Sequence, residues 1–251
     1  MPFPLEILRY RHNRREGLHL IWGGAKAEVA PLPNWSLESL DEAILHLQNG
    51  TFSPAVSFGL ESLLLQRKFP NVNLEVGLCA LNKMKEGCRA LKLKIGHLES
   101  DEAITLIQKF VGRIPLRLDI NRKYDLEKAK TVLGVFPEGT FAFVEEPLSD
   151  PAQIPELRKF CPHPFALDES LRDRPLDFCL KLAEHFIIKP TLQGGIGLCC
   201  FIRDEGKKHG IISHLSSSFE SPVGLRAIKH MAVCCNFPTE AMGLDAVSYE
   251  F

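Results

Sequence analysis

Hydrophobic and polar positions follow two alternating periods along most of this chain. After Pro70, apolar runs of strand length recur at roughly even spacing, and most are followed by apolar residues at helical spacing. The strand-like runs lie at 74–81, 90–96, 115–121, 141–147, 165–170, 185–190 and 210–216, with a weak eighth at 243–247. The helical stretches lie at 100–112, 126–136, 173–184 and 195–208. Strand and helix in alternation predict parallel pairing, and about eight units predict a modified TIM-type (β/α)7β barrel over residues 73–251.

The pattern is different before residue 73. Two short strands are predicted at 17–22 and 26–30, followed by a helix that is capped by Ser36 and a second helix at 54–66. These elements predict a small α+β capping domain over residues 1–72. It is too short to hold a catalytic pocket alone.

Charged side chains share the inner face of two predicted barrel strands. Residues two apart on a strand point to the same side, so Lys92 and Lys94 share one face, and Arg117, Asp119 and Asn121 share another. A solvated strand edge would explain the two lysines without any function. A strand central to a barrel has no such edge, and inward lysines are costly unless anions lie nearby. The lysines therefore indicate a site.

Three carboxylates end three consecutive predicted strands. Asp119, Glu145 and Asp168 can converge because neighbouring parallel strands lie about 4.8 Å apart. Glu146 and Glu169 are the competing choices, and alternation allows only one residue of each adjacent pair to face inward. Each acid alone could be a helix cap or a surface residue, but the joint pattern predicts a metal site. All-oxygen ligands favour Mg²⁺ over zinc, and Mn²⁺ is the alternative ion.

A further lysine, Lys189, ends the sixth predicted strand. It is predicted to lie across the barrel from Lys94, so that a base and a cation would flank a bound carbanion. A lysine base must be neutral, and a nearby like charge lowers a lysine pKa. Lys94 as the base and Lys92 as its electrostatic helper is therefore a coherent assignment.

Composition limits the classes of partner. The 251 residues include 30 Lys and Arg against 31 Asp and Glu, for a formal charge of −1. Without a basic block, nucleic acid and anionic membranes are not expected as partners. The N-terminus lacks the pattern of a signal peptide, and no run approaches a membrane span of about 18 apolar residues. We expect a cytoplasmic protein, and its oligomeric state stays open.

Cysteine and histidine do not form a recognisable metal motif. The eight cysteines show no CxxC spacing, and the nine histidines show no HExxH pair. We therefore expect the cysteines to be small buried hydrophobes in a reducing compartment, and zinc chemistry is not expected.

Six motifs in a fixed order resemble a known family. They are KLK at 92–94, RLDIN at 117–121, VEEP at 144–147, LDES at 167–170, IKPT at 188–191 and SSSFES at 216–221. In this order they are similar to the muconate-lactonising branch of the enolase superfamily, and most similar to its o-succinylbenzoate synthase family of menaquinone biosynthesis. The segments 27–43, 53–65 and 243–247 also fit this family. Compared with it, the cap is expected to be shortened, because residues 1–16 leave little room for the family's first strand.

The resemblance implies roles for individual residues. It implies Lys94 and Lys189 as catalytic lysines, Lys92 as their helper, and the three strand-end acids as Mg²⁺ ligands. It implies that Ser216 and Gly243 contact the succinyl part of the substrate, and that Arg117 accompanies the first metal ligand. Asn121 is a further candidate for substrate contact. The implied reaction is a dehydration of a small-molecule carboxylate through an ene-diolate.

Two other functions are compatible with the same residues. An N-succinylamino-acid racemase or dipeptide epimerase would use both lysines as acid and base on opposite faces of the substrate. A non-catalytic binding barrel is the remote alternative. It would have no structural need for all three carboxylates and both lysines.

Overall fold

Two sheets organise the chain, one antiparallel and one parallel. The computed structural model describes residues 4–12 and 15–245. These residues fall into two units, of which the first covers Met1–Val76, Ile188–Asp204 and Leu215–Phe251. The second covers Gly77–Ile187 and Glu205–His214.

The first unit contains a three-stranded antiparallel sheet of β1 (Glu6–His12), β2 (Arg15–Trp22) and β3 (Ala25–Val29) in that order. The two strands predicted from the sequence are confirmed as β2 and β3. The expectation that residues 1–16 leave little room for a first strand is wrong. β1 pairs along its whole length with β2. An antiparallel partner needs only a short connection, so a first strand fits within these few residues.

Two helices, α1 (Leu40–Asn49) and α2 (Pro54–Lys68), follow the antiparallel sheet. The predicted cap of α1 is wrong, because the N-cap is Ser39 and not Ser36. Ser39 forms a capping box with Glu42, in which the Ser39 N–H donates to the Glu42 carboxylate at 2.7 Å. Ser36 instead accepts a hydrogen bond from the Leu32 N–H at 2.8 Å within the preceding turn.

The core of the first unit lies between this sheet and these helices. Apolar side chains of β2, β3, α1 and α2 form one buried cluster; it includes Leu18, Leu20, Ala27, Val29, Ala43, Val56 and Leu63. Helix α10 (Pro222–Cys234) also packs against β3 and α2. This packing brings the late part of the chain to the antiparallel sheet.

The parallel sheet has seven strands arranged in chain order, and it lies almost entirely in the second unit. Its strands are β4 (Cys79–Leu81), β5 (Ala90–Lys94), β6 (Leu116–Asp119), β7 (Phe141–Glu145), β8 (Phe165–Leu167), β9 (His185–Ile188) and β10 (Ile212–Leu215). The seven predicted strands are confirmed, each shorter than its apolar run. Leucines such as Leu91, Leu93 and Leu118 are fully buried, as expected for a parallel sheet that is covered by helices.

Helices separate most of these strands, as the periodicity predicts. They are α3 (Ser100–Gln108), α4 (Leu126–Leu133), α5 (Ile154–Leu157), α6 (Ser170–Asp173), α7 (Leu176–Cys179), α8 (Pro190–Gln193) and α9 (Ile196–Lys208). The single helix predicted at 173–184 is wrong. α6 and α7 are short and separate, because Pro175 has no N–H to continue a helix and disfavours helical geometry at the residue before it.

The predicted eighth strand is only partly within the described residues. Gly243 forms an isolated parallel bridge with Ser216, and residues 246 and 247 lie outside the described part of the chain. Among the described residues, no helix is long and apolar enough to cross a membrane.

Candidate active site

The end of β5 carries both predicted lysines of the second unit. Lys92 and Lys94 are half-buried, and they alternate with fully buried leucines that face the other side of the strand. Asn82, which the sequence analysis did not single out, holds this strand end. Its side-chain oxygen accepts from the Lys94 N–H at 2.8 Å, and its own N–H donates to the Lys92 carbonyl at 2.8 Å. The backbone beneath both lysines is therefore fixed.

The Lys92 ammonium lies between two of the predicted carboxylates. Its Nζ is 2.9 Å from the Asp119 carboxylate and 2.7 Å from that of Glu145, and both acids are only 1% exposed. Burial by itself lowers the pKa of Lys92, but attraction by Asp119 and Glu145 outweighs it and holds this pKa well above the usual value. Lys92 is therefore a permanent cation in the site.

A β-bulge sets the register of these two acids. Leu116 pairs with Phe141, but the next residue, Arg117, pairs with Phe143, so that Ala142 is left out of the ladder. Asp119 consequently lies opposite Glu145. Bulges are common beside active sites because they redirect the side chains that follow them.

The third predicted carboxylate, Asp168, follows β8 and is 2% exposed. Its backbone is held by Glu146, which the sequence offers as the alternative to Glu145 for the inward-facing carboxylate. The Glu146 carboxylate accepts from the Asp168 N–H at 2.8 Å, from the Ser170 N–H at 2.7 Å and from the Ser170 hydroxyl at 2.9 Å. Burial raises the pKa of Glu146, although these hydrogen bonds and Arg122 oppose the shift. Glu146, which follows β7, therefore holds the backbone that follows β8.

The loop after β6 is held in a similar way. Asn121 has a left-handed backbone, and its amide donates to the Glu169 carboxylate at 3.1 Å. Arg122 is also left-handed, and it pairs with Glu146 at 3.0 Å and with Asp173 at 2.5 Å. Glu146 and Glu169 are the neighbouring acids that the sequence offers as alternatives to Glu145 and Asp168. Both contact the loop after β6.

Arg117 lies with aromatic and imidazole groups of the same sheet. Its guanidinium is 4.9 Å from the centre of the Phe143 ring. His185 and His214 also pack on that ring, and their Nδ1 and Nε2 atoms are 3.1 Å apart. Burial lowers the pKa of His185 to about 4 and that of His214 to about 3, and the Arg117 charge adds to both shifts. Both rings are therefore neutral near pH 7.

Three predicted site residues lie in the first unit. Lys189 is the N-cap residue of α8, and its carbonyl accepts from the Gln193 N–H at 2.9 Å. The Ser216 hydroxyl donates to the Gly243 carbonyl at 3.1 Å, so these two residues are brought together. A Cβ at Gly243 would lie 2.6 Å from the Ser216 Oγ, so the close approach requires glycine.

The loop after Ser216 is anchored by two buried acids that the sequence analysis did not identify. Glu28 of β3 accepts hydrogen bonds from the Ser221 hydroxyl and from the Gly224 N–H. Glu220 accepts from the Ser218 N–H at 2.7 Å and from the Thr191 hydroxyl at 2.8 Å. Glu28 stands in the segment 27–43 and Glu220 in the SSSFES motif, so both lie inside segments that carry the family resemblance, without an assigned role.

The chemistry of the donor set fits a divalent cation. Asp119, Glu145 and Asp168 offer only carboxylate oxygens, which are the ligands that Mg²⁺ prefers, and they end three successive parallel strands. In the described part of the chain, no group of three or more His, Cys, Asp or Glu side chains is arranged around a single ion position. Lys92 instead lies between two of the three carboxylates.

Comparison with known proteins identifies the family to which the chain belongs. Residues 78–248 match the family model described as Enolase C-terminal domain-like. The o-succinylbenzoate synthase of Pasteurella multocida (strain Pm70) is 31% identical over 291 residues, which cover 96% of this chain and 85% of that protein. The chain belongs to the o-succinylbenzoate synthase family of the enolase superfamily.

Other relatives agree with this family. The o-succinylbenzoate synthase of Haemophilus influenzae (strain ATCC 51907 / DSM 11121 / KW20 / Rd) is also 31% identical, again over 96% of this chain and 85% of that protein. The name that these relatives carry is that of a lyase, and the chain is an enzyme of the same family.

Solved structures show the same fold. The o-succinylbenzoate synthase of Thermosynechococcus elongatus BP-1, complexed with Mg in the active site, has a TM-score of 0.76 at 22% identity, covering 98% of this chain and 93% of that one. A dipeptide epimerase of Enterococcus faecalis V583 has a TM-score of 0.79 at 17% identity, covering 98% and 90%. The architecture is an α/β fold with a parallel sheet and a separate N-terminal antiparallel sheet.

Proposed function

We propose that this chain catalyses the syn dehydration of 2-succinyl-6-hydroxy-2,4-cyclohexadiene-1-carboxylate to o-succinylbenzoate in menaquinone biosynthesis. The observation that supports this most is the cluster in which Lys92 contacts the carboxylates of Asp119 and Glu145 beside Lys94. The names of the curated relatives support the choice of substrate.

Asp119, Glu145 and Asp168 are the proposed ligands of Mg²⁺, with Mn²⁺ as the alternative ion. When bound, the cation would supply electrostatic stabilisation to the ene-diolate that forms from the substrate carboxylate. Lys92 holds two of these acids in place in the described structure. Glu146 fixes the backbone of the third.

The three lysines have different roles, and only Lys94 transfers a proton. Lys94 removes the proton next to the substrate carboxylate, and the resulting Lys94 ammonium then assists the departure of hydroxide. Lys92 remains cationic and serves as the electrostatic helper of Lys94. Lys189 contributes a positive charge that stabilises the ene-diolate and transfers no proton in this reaction.

Polar contacts would hold the rest of the substrate. Ser216 and Gly243 are proposed to contact the succinyl part, and their mutual hydrogen bond supports treating them as one surface. Arg117 and Asn121 are proposed as further contacts. Arg117 lies over Phe143, so its contribution to binding is expected to be the smaller of the two.

The architecture proposed for this function has two domains. Residues 1–72 would form a capping domain, and residues 73–251 a (β/α)7β barrel that is closed by a strand at Gly243. The isolated bridge between Ser216 and Gly243 supports this position for the closing strand. We place the enzyme in the cytoplasm as part of the same proposal.

The roles of the two lysines are tested by hydrogen exchange of a substrate-like acid in D₂O. Lys189→Arg should still exchange the α-proton on the Lys94 side, whereas Lys94→Ala should not. The dehydration rate of Lys94→Ala should fall by at least ~10²–10⁴-fold, the usual contribution of a general base. Lys109→Ala is the matched control, since Lys109 is an exposed lysine at the end of α3. Unchanged exchange in Lys94→Ala would contradict the assignment.

A racemase or dipeptide epimerase is the second candidate, since the fold of a dipeptide epimerase matches this chain closely. In that reaction Lys94 and Lys189 would each be a working base on one side of the substrate. Each variant would then lose exchange with only one enantiomer of an N-succinyl amino acid, an outcome that the dehydratase assignment does not predict.

A further inference from the structure

Two proposed site residues of the first unit stand at neighbouring strand ends. Lys189 follows β9, and Ser216 follows β10, which is the next strand of the parallel sheet. The Ser216 N–H donates to the Ile188 carbonyl at 3.0 Å, so the backbones of the two strand ends are in contact. Beyond this point the chain continues as α8 after Lys189 and as the loop 217–221 after Ser216. The two side chains keep a fixed separation only if these two segments are tied together.

A buried carboxylate ties them together. Glu220 is 2% exposed, and its Oε1 accepts from the Thr191 hydroxyl at 2.8 Å. Its Oε2 accepts from the Ser218 N–H at 2.7 Å, and the Ser218 hydroxyl donates to Oε1. Thr191 is the second residue after Lys189, and Ser218 is the second residue after Ser216. Glu220 therefore links the two segments within two residues of each site residue.

The orientation of α8 depends on contacts of this kind. α8 has four residues, Pro190–Gln193, and a helix of this length is not stable by itself. Its Thr191 is buried, and a buried hydroxyl is costly unless it finds a hydrogen-bond partner. The Glu220 carboxylate supplies that partner, and α8 also packs against α2. The bond to Glu220 and the packing on α2 together set the direction in which the chain leaves Lys189.

The loop side of this link is fixed to the antiparallel sheet. The guanidinium of Arg15 on β2 donates to the Ser218 carbonyl, so Ser218 is held through both its carbonyl and its N–H. Glu28 on β3 accepts from the Ser221 N–H at 3.1 Å, which holds the far end of the loop. The loop is therefore a fixed support to which Glu220 attaches α8.

The backbone of the loop is strained between the residues that Glu220 joins. Phe219 has a φ of 65°, in the left-handed region that is rare for a bulky residue. Such a conformation persists where surrounding contacts enforce it, and these conformations cluster at active sites and ligand clamps. Phe219 stands between Ser218 and Glu220, whose mutual hydrogen bonds close this turn. The Glu220 carboxylate therefore enforces the shape of the loop as well as its link to α8.

We propose that Glu220 is a positioning residue of the substrate site, which fixes the separation between Lys189 and Ser216. The proposal rests on the proposed function, in which Lys189 stabilises the ene-diolate and Ser216 contacts the succinyl part of the substrate. The role requires a carboxylate, because three donors converge on its two oxygens. A glutamine amide has one acceptor oxygen, and its nitrogen can only donate, so glutamine is not equivalent at this position.

Steady-state kinetics of dehydration by the full chain with Mg²⁺ test this role. Glu220→Gln keeps the side-chain shape but leaves one of the three donors without an acceptor, so kcat should fall and KM should rise. Thr191→Val removes the α8 side of the link and displaces Lys189, so kcat should fall with a smaller change in KM. In both variants kcat/KM should fall by about 10–10²-fold, since a displacement of about 1 Å can cost about 10²-fold. Thr191→Ser keeps the hydroxyl and should restore most of the activity.

Controls separate this role from stability and from the proposed function. Thr131→Val changes an exposed threonine on α4 and should leave kcat and KM unchanged. If Glu220→Gln fails to fold, the comparison of Thr191→Val with Thr191→Ser still decides. The proposal is overturned if the variants lower the free energy of unfolding but keep the kcat and KM of the folded enzyme, or if Thr191→Ser is no better than Thr191→Val. Absence of dehydration in the unmodified chain contradicts the proposed function itself, and the positioning role falls with it.

Discussion

The paired histidines of the parallel sheet should make the protein sensitive to mild acid. His185 on β9 and His214 on β10 are neutral in the folded protein, with pKa values of about 4 and about 3. Burial is the main cause, and Arg117 on β6 lowers both values, while Glu184 raises that of His185. When the chain unfolds, both rings regain a pKa near 6.5.

The sign of the effect follows from proton uptake. Below a pH of about 6.5 the unfolded chain binds protons that the folded protein cannot, so the free energy of unfolding falls with falling pH. At 1.36 kcal/mol for each pKa unit, the shifts correspond to a loss of about 2 kcal/mol for each ring at pH 5. Water screens these half-buried rings in part, so we expect about 2–4 kcal/mol for the pair.

Urea unfolding followed by circular dichroism measures this loss at pH 8, 6.5 and 5. Between pH 8 and pH 5, the free energy of unfolding should fall less in the double variant His185→Asn/His214→Asn than in the unmodified chain. The difference should be about 2–4 kcal/mol. His214→Asn alone should show roughly half of that difference. His209→Asn changes an exposed histidine and should behave like the unmodified chain. The reasoning fails if the double variant keeps the full pH dependence.

Three further predictions concern the strand ends. Asp168→Ala should abolish dehydration and leave the circular dichroism spectrum unchanged, and EDTA should abolish the activity of the unmodified enzyme until Mg²⁺ is restored; full activity in EDTA would contradict the metal site. Glu146→Ala should lower the free energy of unfolding by about 2–4 kcal/mol in urea, because it leaves the Arg122 Nε and two buried N–H groups without their acceptor. Lys92→Met should lower it by about 3–5 kcal/mol without metal, since it removes the cation between two buried acids. Lys109→Met, on an exposed site, should change it by less than about 0.5 kcal/mol.

Much of the site could be predicted because it depends on local periodicity. A period of two residues is enough to put Lys92 and Lys94 on one face, and strand ends are marked by the change from apolar to charged residues. The register between strands is not local. The bulge at Ala142 sets Glu145 opposite Asp119, and no feature of the FAFVE run indicates which residue is left out of the ladder.

Contacts between distant segments could not be predicted from the sequence either. Glu28 and Ser221 meet across 193 positions. At closer range, Ser36 and Ser39 both precede α1, and the observed hydrogen bonds identify Ser39 as the cap. The acid three residues after Ser39 is the local signal that could have decided it.

The central claim is most directly tested by measuring two reactions side by side with the purified full chain and Mg²⁺. One assay follows conversion of 2-succinyl-6-hydroxy-2,4-cyclohexadiene-1-carboxylate to o-succinylbenzoate, and the other follows racemisation of N-succinyl amino acids. The account predicts that kcat/KM for dehydration exceeds that for racemisation. Racemisation without dehydration would contradict it in favour of a racemase, and the absence of both reactions in a folded, metal-supplied protein would favour a binding barrel.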